Sequence, residues 1–553
     1  MKPHAQSRHR GSRAPTHWAM MPQQANEAPM YDVIVVGGGS AGAPAAAHLS
    51  ADPNCRVLLL EAGRDWRAAE APAAMRSANI LPFMNDPAHQ AEWQWPQLLT
   101  RRTRSQPPRF YWRGKALGGS SAVNAQIAIR GVADAFDEWA EAGCEGWSAD
   151  AVLPVIDAFE DDPAQGRAGG PIPVYRAPEA TWGPVDRGLR DAALAAGYPW
   201  NPDLNARAGE GVSCYPYNSR DGRRISTNEA FLEPARGRPN LEILGGALVD
   251  RVLIADGRAT GVRVHLPDRG WVEIAAREVL LSAGAIHSPS ILLRSGLGPA
   301  VQLQALGIPV VRDMAEVGRN FMDHPSLRAS IKLRPEYVSH DPNQRHTNSC
   351  VTYTSGLANG GRRDMILIGF NHRALGEAGM PSATGAVGAL LYNAFSRGTL
   401  TLASADPQVD PVVDENMLDD PRDRLRMRDG VRRVAELIAH PALAGIAEAI
   451  TFQDAGMPYA EAAALPDDAL DALMLDQAAD GQHAAGTCRM TAYEEPRGVV
   501  DPDLRVKGIA GLRVADASIM PGDCRANTHF TCVMIGTIAA QRIAQSREGK
   551  GVR

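Results

Sequence analysis

The stretch YDVIVVGGGSAGAPAAAHLS, starting at Tyr31, restricts the fold of this 553-residue chain more than any other segment. Val33–Val36 form a continuous β-branched run, which predicts a parallel strand buried on both faces. Gly37, Gly39 and Gly42 follow as G-x-G-x-x-G. In that pattern the first glycine permits a tight turn and the second lets a pyrophosphate approach the backbone. The third lets helix and strand pack closely. The alanine-rich segment beyond them is the expected helix, with its free N–H groups facing phosphate. Pro44 is tolerated in its first turn. RVLLLEAG predicts a second strand that ends at Glu61, 19 residues past Gly42. There a carboxylate is placed to accept hydrogen bonds from the ribose hydroxyls of adenosine, and it would repel the 2′-phosphate of NADP. The expectation is a dinucleotide-binding unit of the α/β class.

A chain of this length exceeds what one core normally fills, so two domains are expected. Hydrophobic residues make up 44% and charged residues 22%, the profile of an ordinary soluble protein. The net charge of -6, with no long basic run past the N-terminus, argues against nucleic acid as a partner. The seven cysteines are scattered and odd in number, which suggests neither a disulfide framework nor a zinc or iron–sulfur site. No metal is expected. Residues 1–29 are polar and lack a continuous apolar region, so they are expected as a disordered leader rather than a secretory signal or membrane span. Met20 and Met21 offer alternative translation starts. A cytoplasmic protein without a transmembrane segment is expected.

Three further blocks carry chemistry. RGKALGGSSAVN, residues 113–124, places small residues around Gly118 and Gly119, leaving room for a bulky planar group. Arg113 in that block can neutralise phosphate, and Asn124 can offer its amide to a ring or to the turn itself. REVLLSAGAIHSPSILLRSGLG, residues 277–298, predicts a buried strand over Val279–Leu281 and then a helix with Pro289 in its first turn. His287 beside that turn is read as structural. GLRVADASIMPGDCRANTHFTCVMIGTIAAQRI, residues 511–543, predicts a strand over Leu512–Val514 that leads to Asp516. A terminal helix over Phe530–Ile543 follows, capped by Asn527 or Thr528. Its free N–H groups would favour a ring that becomes anionic on reduction.

These blocks, in this order with HAAGTCRM at 483–490, resemble the glucose–methanol–choline (GMC) family of FAD-dependent oxidoreductases. The resemblance spans residues 31–543 and has an alcohol- or choline-dehydrogenase-like character. It implies a doubly wound FAD-binding domain interleaved with an α+β substrate domain built on a large antiparallel sheet. The expected FAD-binding segments are 30–165, 225–325 and 480–545, and the substrate segments are 166–224 and 326–479. GTLTLASADPQVDPVVD, residues 398–414, is expected as strand and turn in the antiparallel sheet. By resemblance Glu61 is the ribose ligand, and Arg113, Gly118 and Gly119 belong to the pyrophosphate-and-flavin loop. Val249 is the backbone contact to adenine. Asp516 and Ala517 approach the phosphate and ribityl chain, with Asn527 and Thr528 near the flavin pyrimidine. Some members bind flavin covalently through a histidine in the GGSS loop. Here Ala122 and Val123 stand there, so FAD is expected to be non-covalent.

In the same resemblance His483 is the histidine that faces the flavin, and Asn527, 44 residues on, is its polar partner. Alcohol oxidation removes a hydroxyl proton and transfers hydride from the same carbon to flavin N5. An uncharged imidazole takes the proton, while an amide donor holds the oxygen without competing for it. His529 is the rival base, and His324 in MDHP is read as structural. Gln482 stands where many relatives carry an aromatic residue, which makes that wall more polar. Other pocket residues are expected within 326–397. A hydroxynitrile-lyase-like protein and a non-catalytic flavin-binding protein are the alternatives. The sequence leaves open which small-molecule alcohol is the substrate, and whether O₂, a quinone or another acceptor reoxidises FAD.

Overall fold

A computed structural model describes residues 30–549, apart from 78, 85, 208 and 375–379. The expected leader at 1–29 lies outside the described residues. Val33, Ile34 and Val35 are wholly inaccessible, as a β-branched run with both faces covered must be. Their strand, Tyr31–Val36, pairs in parallel with Val57–Leu60 on one side and with Gly270–Leu281 on the other. Leu241–Leu244 extends the sheet past Val57–Leu60. Leu512–Val514 joins in parallel beside Val279–Leu281. The first half of the long Gly270–Leu281 strand instead pairs antiparallel with Arg258–Leu266 and, through it, with Leu248–Ala255.

The nucleotide turn is sterically committed to glycine. Gly37 has φ +98°, and a Cβ on Gly42 would lie 1.9 Å from Gly37 O. The helix Gly42–Leu49 follows directly. The C-terminal helix, Thr528–Arg547, crosses it so closely that a Cβ on Gly536 would lie 2.0 Å from Ala41 O. Chain ends more than 480 residues apart thus meet around one turn.

A second core forms on a six-stranded, wholly antiparallel sheet. In spatial order its strands are Ala447–Phe452, Ser326–Leu333, Thr384–Leu391, Met365–Phe370, Ser349–Tyr353 and Gly211–Cys214. Alternation divides its faces. Leu327, Ala329 and Ile331 pack with helices Pro184–Ala195 and Pro421–Ile438 in the second core. Ile366, Ile368 and Leu390 pack toward the first core. This two-domain arrangement of a doubly wound sheet and a large antiparallel sheet is the fold class expected from sequence.

Two local expectations are corrected. Residues 398–414 do not join the antiparallel sheet. Thr399–Thr401 pairs instead with Val412–Asp414, which pairs with Leu99–Arg101 and through it reaches Arg109–Phe110 in a separate four-stranded sheet. The short strands are too local in pattern to reveal a partner three hundred residues away. The helix after Ser282 begins at Gly284, so Pro289 lies inside it rather than in its first turn. A proline there frees the carbonyl four residues earlier. That group, Ala285 O, accepts a 2.6 Å hydrogen bond from the Thr487 hydroxyl.

Thr487→Val keeps the shape and removes this donor, so unfolding free energy should fall by about 1–3 kcal/mol. Denaturant titration of the FAD-loaded protein checks it, and unchanged stability would show that Ala285 O is satisfied otherwise.

Candidate active site

A cavity runs from Glu61 and Val249 at one end to His483 and Asn527 at the other. Three helices begin at its wall, near Ala41, Gly284 and Thr528. Converging N-termini supply free N–H groups and positive potential, which suits an anionic cofactor.

Glu61 marks the first end. Its Oε2 accepts from Gly38 N at 2.9 Å and its Oε1 from Gly63 N at 2.8 Å. Burial pushes its carboxyl up to about 7, against the pull of those two N–H groups. Asp516 lies against the Gly284 helix start, where its Oδ2 accepts from Gly284 N and from the Ser288 hydroxyl. Burial raises this carboxyl too. Ala517 follows on the cavity wall. The 118–121 loop is held onto the nucleotide turn by Gly118 N donating to Gly38 O at 2.8 Å. A Cβ on Gly39 would meet only Gly119 Cα, at 3.6 Å. Packing therefore does not demand glycine at 39, and the space its side chain would take belongs to the cavity. Length, helix termini, Glu61 and this open backbone together fit a flavin dinucleotide.

At the other end both ring nitrogens of His483 are held. Asn527 Nδ2 lies 2.8 Å from His483 Nε2, while Asn527 Oδ1 accepts from the hydroxyls of Tyr215 at 2.9 Å and Tyr392 at 3.1 Å. An amide NH₂ only donates, so His483 Nε2 carries the lone pair. Its Nδ1 then bears the proton and donates to His324 Nδ1, 2.8 Å away. That leaves the His324 proton on Nε2, donating to Asp523 Oδ2 at 2.8 Å. Burial holds His483 well below the ordinary imidazole range, a protonated His324 would press it lower still, and the Arg113 charge adds to this. His324 is raised, because Asp523 and Asp323 outweigh its burial.

Several sequence expectations change here. His324, read as structural, is bonded to His483 itself. Asn527 makes no side-chain cap on the Thr528 helix, because both ends of its amide are engaged by His483 and the two tyrosines. The Arg113 guanidinium lines the cavity and donates to the Tyr111 hydroxyl at 2.6 Å and to Gln482 O at 2.7 Å, which ties it to the His483 loop. Asn124 lines the cavity, with its Oδ1 held by Gln126 N and Arg224 Nη1. Gln482 lines the cavity in a left-handed backbone conformation, its amide nitrogen bound back to Asp480. His529 Nδ1 lies 3.0 Å from the Ser40 hydroxyl on the nucleotide turn, and burial pushes it down to about 4. His287 stacks on Trp95, with ring centres 3.9 Å apart.

Sequence models described as GMC oxidoreductase match residues 31–326 and 394–536. The chain belongs to the GMC oxidoreductases. This GMC oxidoreductase is 35% identical over 540 residues to 5-(hydroxymethyl)furfural oxidase of Methylovorus sp., covering 94% of this chain and 98% of that protein. It is 32% identical over 555 residues to an oxygen-dependent choline dehydrogenase of Rhizobium rhizogenes, covering 93% and 95%. The fold superposes on the crystal structure of pyridoxine 4-oxidase from Mesorbium loti with TM-score 0.82 at 29% identity, covering 95% of this chain and all of that one. It is therefore an oxidoreductase of a family that binds FAD. No helix among the described residues is long and apolar enough to cross a membrane.

Sequence reasoning missed Asp323, Tyr111, Tyr215, Tyr392 and Asp523. MDHP, FYWRG and PGDCRAN flagged three of these neighbourhoods. Tyr215 and Tyr392 sit in CYPYN and LLYNAF, where no local pattern separates them from core tyrosines.

The ribose contact expected at Glu61 would be made in both oxidised and reduced states, so Glu61→Ala should weaken FAD retention more than it slows reduction of fully loaded protein. Equilibrium FAD titration beside single-turnover reduction separates the two. Equal FAD affinity in variant and parent would remove Glu61 from the site.

Proposed function

We propose that this GMC oxidoreductase oxidises a small-molecule alcohol to the carbonyl compound, with His483 as the base and Asn527 as the orienting donor. The supporting observation is the Asp523–His324–His483–Asn527 chain of hydrogen bonds, which leaves a lone pair on a neutral imidazole at the cavity wall. FAD, when bound, supplies the acceptor for the hydride that leaves the alcohol carbon. Asn527 Nδ2 covers His483 Nε2 in the substrate-free protein. An arriving hydroxyl takes that place, donating its proton to Nε2 while the amide turns to donate to the oxygen. Tyr215 and Tyr392 hold Oδ1, so only the NH₂ end of Asn527 meets substrate.

Proton uptake at Nε2 makes His483 cationic inside a buried site. Its Nδ1–H already points at His324 Nδ1, and His324 is backed by the Asp523 carboxylate. The positive charge is therefore stabilised away from the reacting carbon, or passed to His324 outright. Ala122 and Val123 offer no nucleophile to the flavin, which supports non-covalent FAD. The names of the relatives, an oxidase and an oxygen-dependent dehydrogenase, support O₂ as final acceptor.

Rapid-mixing reduction without oxygen isolates the proposed step and separates it from a lyase reaction, which needs no flavin bleaching. His483→Ala should slow reduction by about 10²–10⁴-fold in FAD-loaded protein. His483 is neutral wherever the pH exceeds its lowered pKa, so the acid limb from His483 itself should lie well below pH 6.5, while protonation of His324, whose pKa is raised, moves the His483 proton to Nε2 and supplies any limb above it. A fast His483→Ala beside a slow His529→Ala would contradict the assignment.

A further inference from the structure

The four-stranded sheet built on Thr399–Thr401 and Val412–Asp414 sends four side chains to the back of the His483 loop. Thr100 lies on the strand Leu99–Arg101 and Arg102 just past it, Tyr111 follows Arg109–Phe110, and Glu415 follows Val412–Asp414. Alternation separates the last two positions. Asp414 turns outward to meet Arg101, and Glu415 turns inward, 2% exposed. There it comes within electrostatic reach of Asp323 and Asp480, one residue before His324 and three before His483.

The cluster holds three buried carboxylates and one ion-paired arginine, Arg102 on Asp480. Arg113 borders it through Tyr111, and Arg328 adds positive potential at Asp480. Hydrogen-bond donors decide where a proton fits. Asp480 Oδ2 takes Arg102 Nε, and its Oδ1 takes the Gln482 amide. Asp323 Oδ1 takes the backbone N–H groups of His324 and His483. Its Oδ2 takes the Tyr111 hydroxyl, whose own oxygen already accepts from Arg113 and from Ala484 N. Tyr111 therefore has no lone pair left for a proton on Asp323. Glu415 differs. Its Oε1 accepts from the Thr100 hydroxyl, and its Oε2 is buried without a partner among the described residues. A proton fits on that oxygen without displacing a donor. Burial and the charges of Asp480 and Asp323 push the Glu415 carboxyl well above its ordinary range, against Thr100 and Arg102. Burial raises Asp323 as well, but its donors leave the proton to Glu415.

We propose that Glu415 is a positioning residue for His483: it stays protonated, so that Asp323 and Asp480 both remain ionised and hold residues 480–484 between them. Asp323 grips the backbone N–H of His483, and Asp480 grips the side chain of Gln482 just before it. Ionising Glu415 would add a third negative charge beside a single paired arginine, and the repulsion would draw the loop from its two anchors. His483 would then lose the placement that presents Nε2. Glu415 does not line the cavity, so it acts through this loop alone. The inference rests on the alcohol-oxidation reading above for its kinetic test only.

Infrared difference spectroscopy of the FAD-loaded protein at pH 7, parent minus Glu415→Gln, should show the carbonyl band of a protonated carboxyl group. Raising the pH should remove that band together with the rate of anaerobic flavin reduction by a primary alcohol. Glu415→Gln keeps the shape and the neutrality of the protonated acid, so this alkaline limb should vanish. Glu415→Leu should slow reduction by about 10- to 100-fold at every pH, with FAD content measured to confirm folding, and Glu415→Gln should recover most of that loss. A difference spectrum without the carboxyl band at pH 7 overturns the proposal, as does an alkaline limb unchanged in Glu415→Gln. If no alcohol bleaches the flavin while the band is present, the oxidation reading fails and the proton on Glu415 stands.

Discussion

Asp323 Oδ1 accepts the backbone N–H of His324 at 2.7 Å and that of His483 at 2.8 Å, and its Oδ2 takes the Tyr111 hydroxyl. One carboxylate therefore sets the relative position of two loops 160 residues apart, and through them the spacing of the two imidazoles. Tyr111 passes the constraint on, since its hydroxyl also meets Ala484 N and the Arg113 guanidinium. Such a network is costly when half satisfied and rigid when complete. On the proposed mechanism this rigidity has a chemical purpose, because proton transfer between imidazoles tolerates little misplacement.

The proposed reacting pair is assembled beside the face of the antiparallel sheet that packs toward the first core. His483 and Asn527 come from segments beside the nucleotide-binding sheet. Tyr392 follows the antiparallel strand Thr384–Leu391, and Tyr215 follows Gly211–Cys214. The tyrosines orient the amide, the amide fixes the lone pair of His483, and the Asp523–His324 couple fixes its proton. Each element removes one degree of freedom from a side chain that must present a single nitrogen to substrate. The low dielectric that keeps His483 neutral is the same one that makes the Asp523–His324 contact strong enough to raise His324.

Legibility in the sequence followed the range of each interaction. Val33–Val36, the glycine triplet, Glu61 and Leu512–Val514 are specified by neighbours within a few residues, and periodicity and turn chemistry located them. Pro289 misled because the partner of the carbonyl it frees, Thr487, lies two hundred residues on. Asn527 looked like a helix cap because cap propensity is local, whereas its bonds to His483, Tyr215 and Tyr392 are not. Histidines with unlike environments also look alike in one dimension. His324 and His529 differ only in what the fold brings to them, a carboxylate in one case and a serine hydroxyl in the other.

The central claim is that His483 is neutral, with its proton on Nδ1 and its lone pair on Nε2. Nitrogen-15 NMR of histidine-labelled holoenzyme, with the His483 signals assigned by comparison with His483→Gln, reads both features directly. The account predicts a neutral His483 at pH 7 and well below pH 6.5, with Nδ1 protonated and Nε2 unprotonated wherever His324 is itself neutral. An imidazolium at neutral pH, or a proton resting on Nε2 while His324 is neutral, would contradict it.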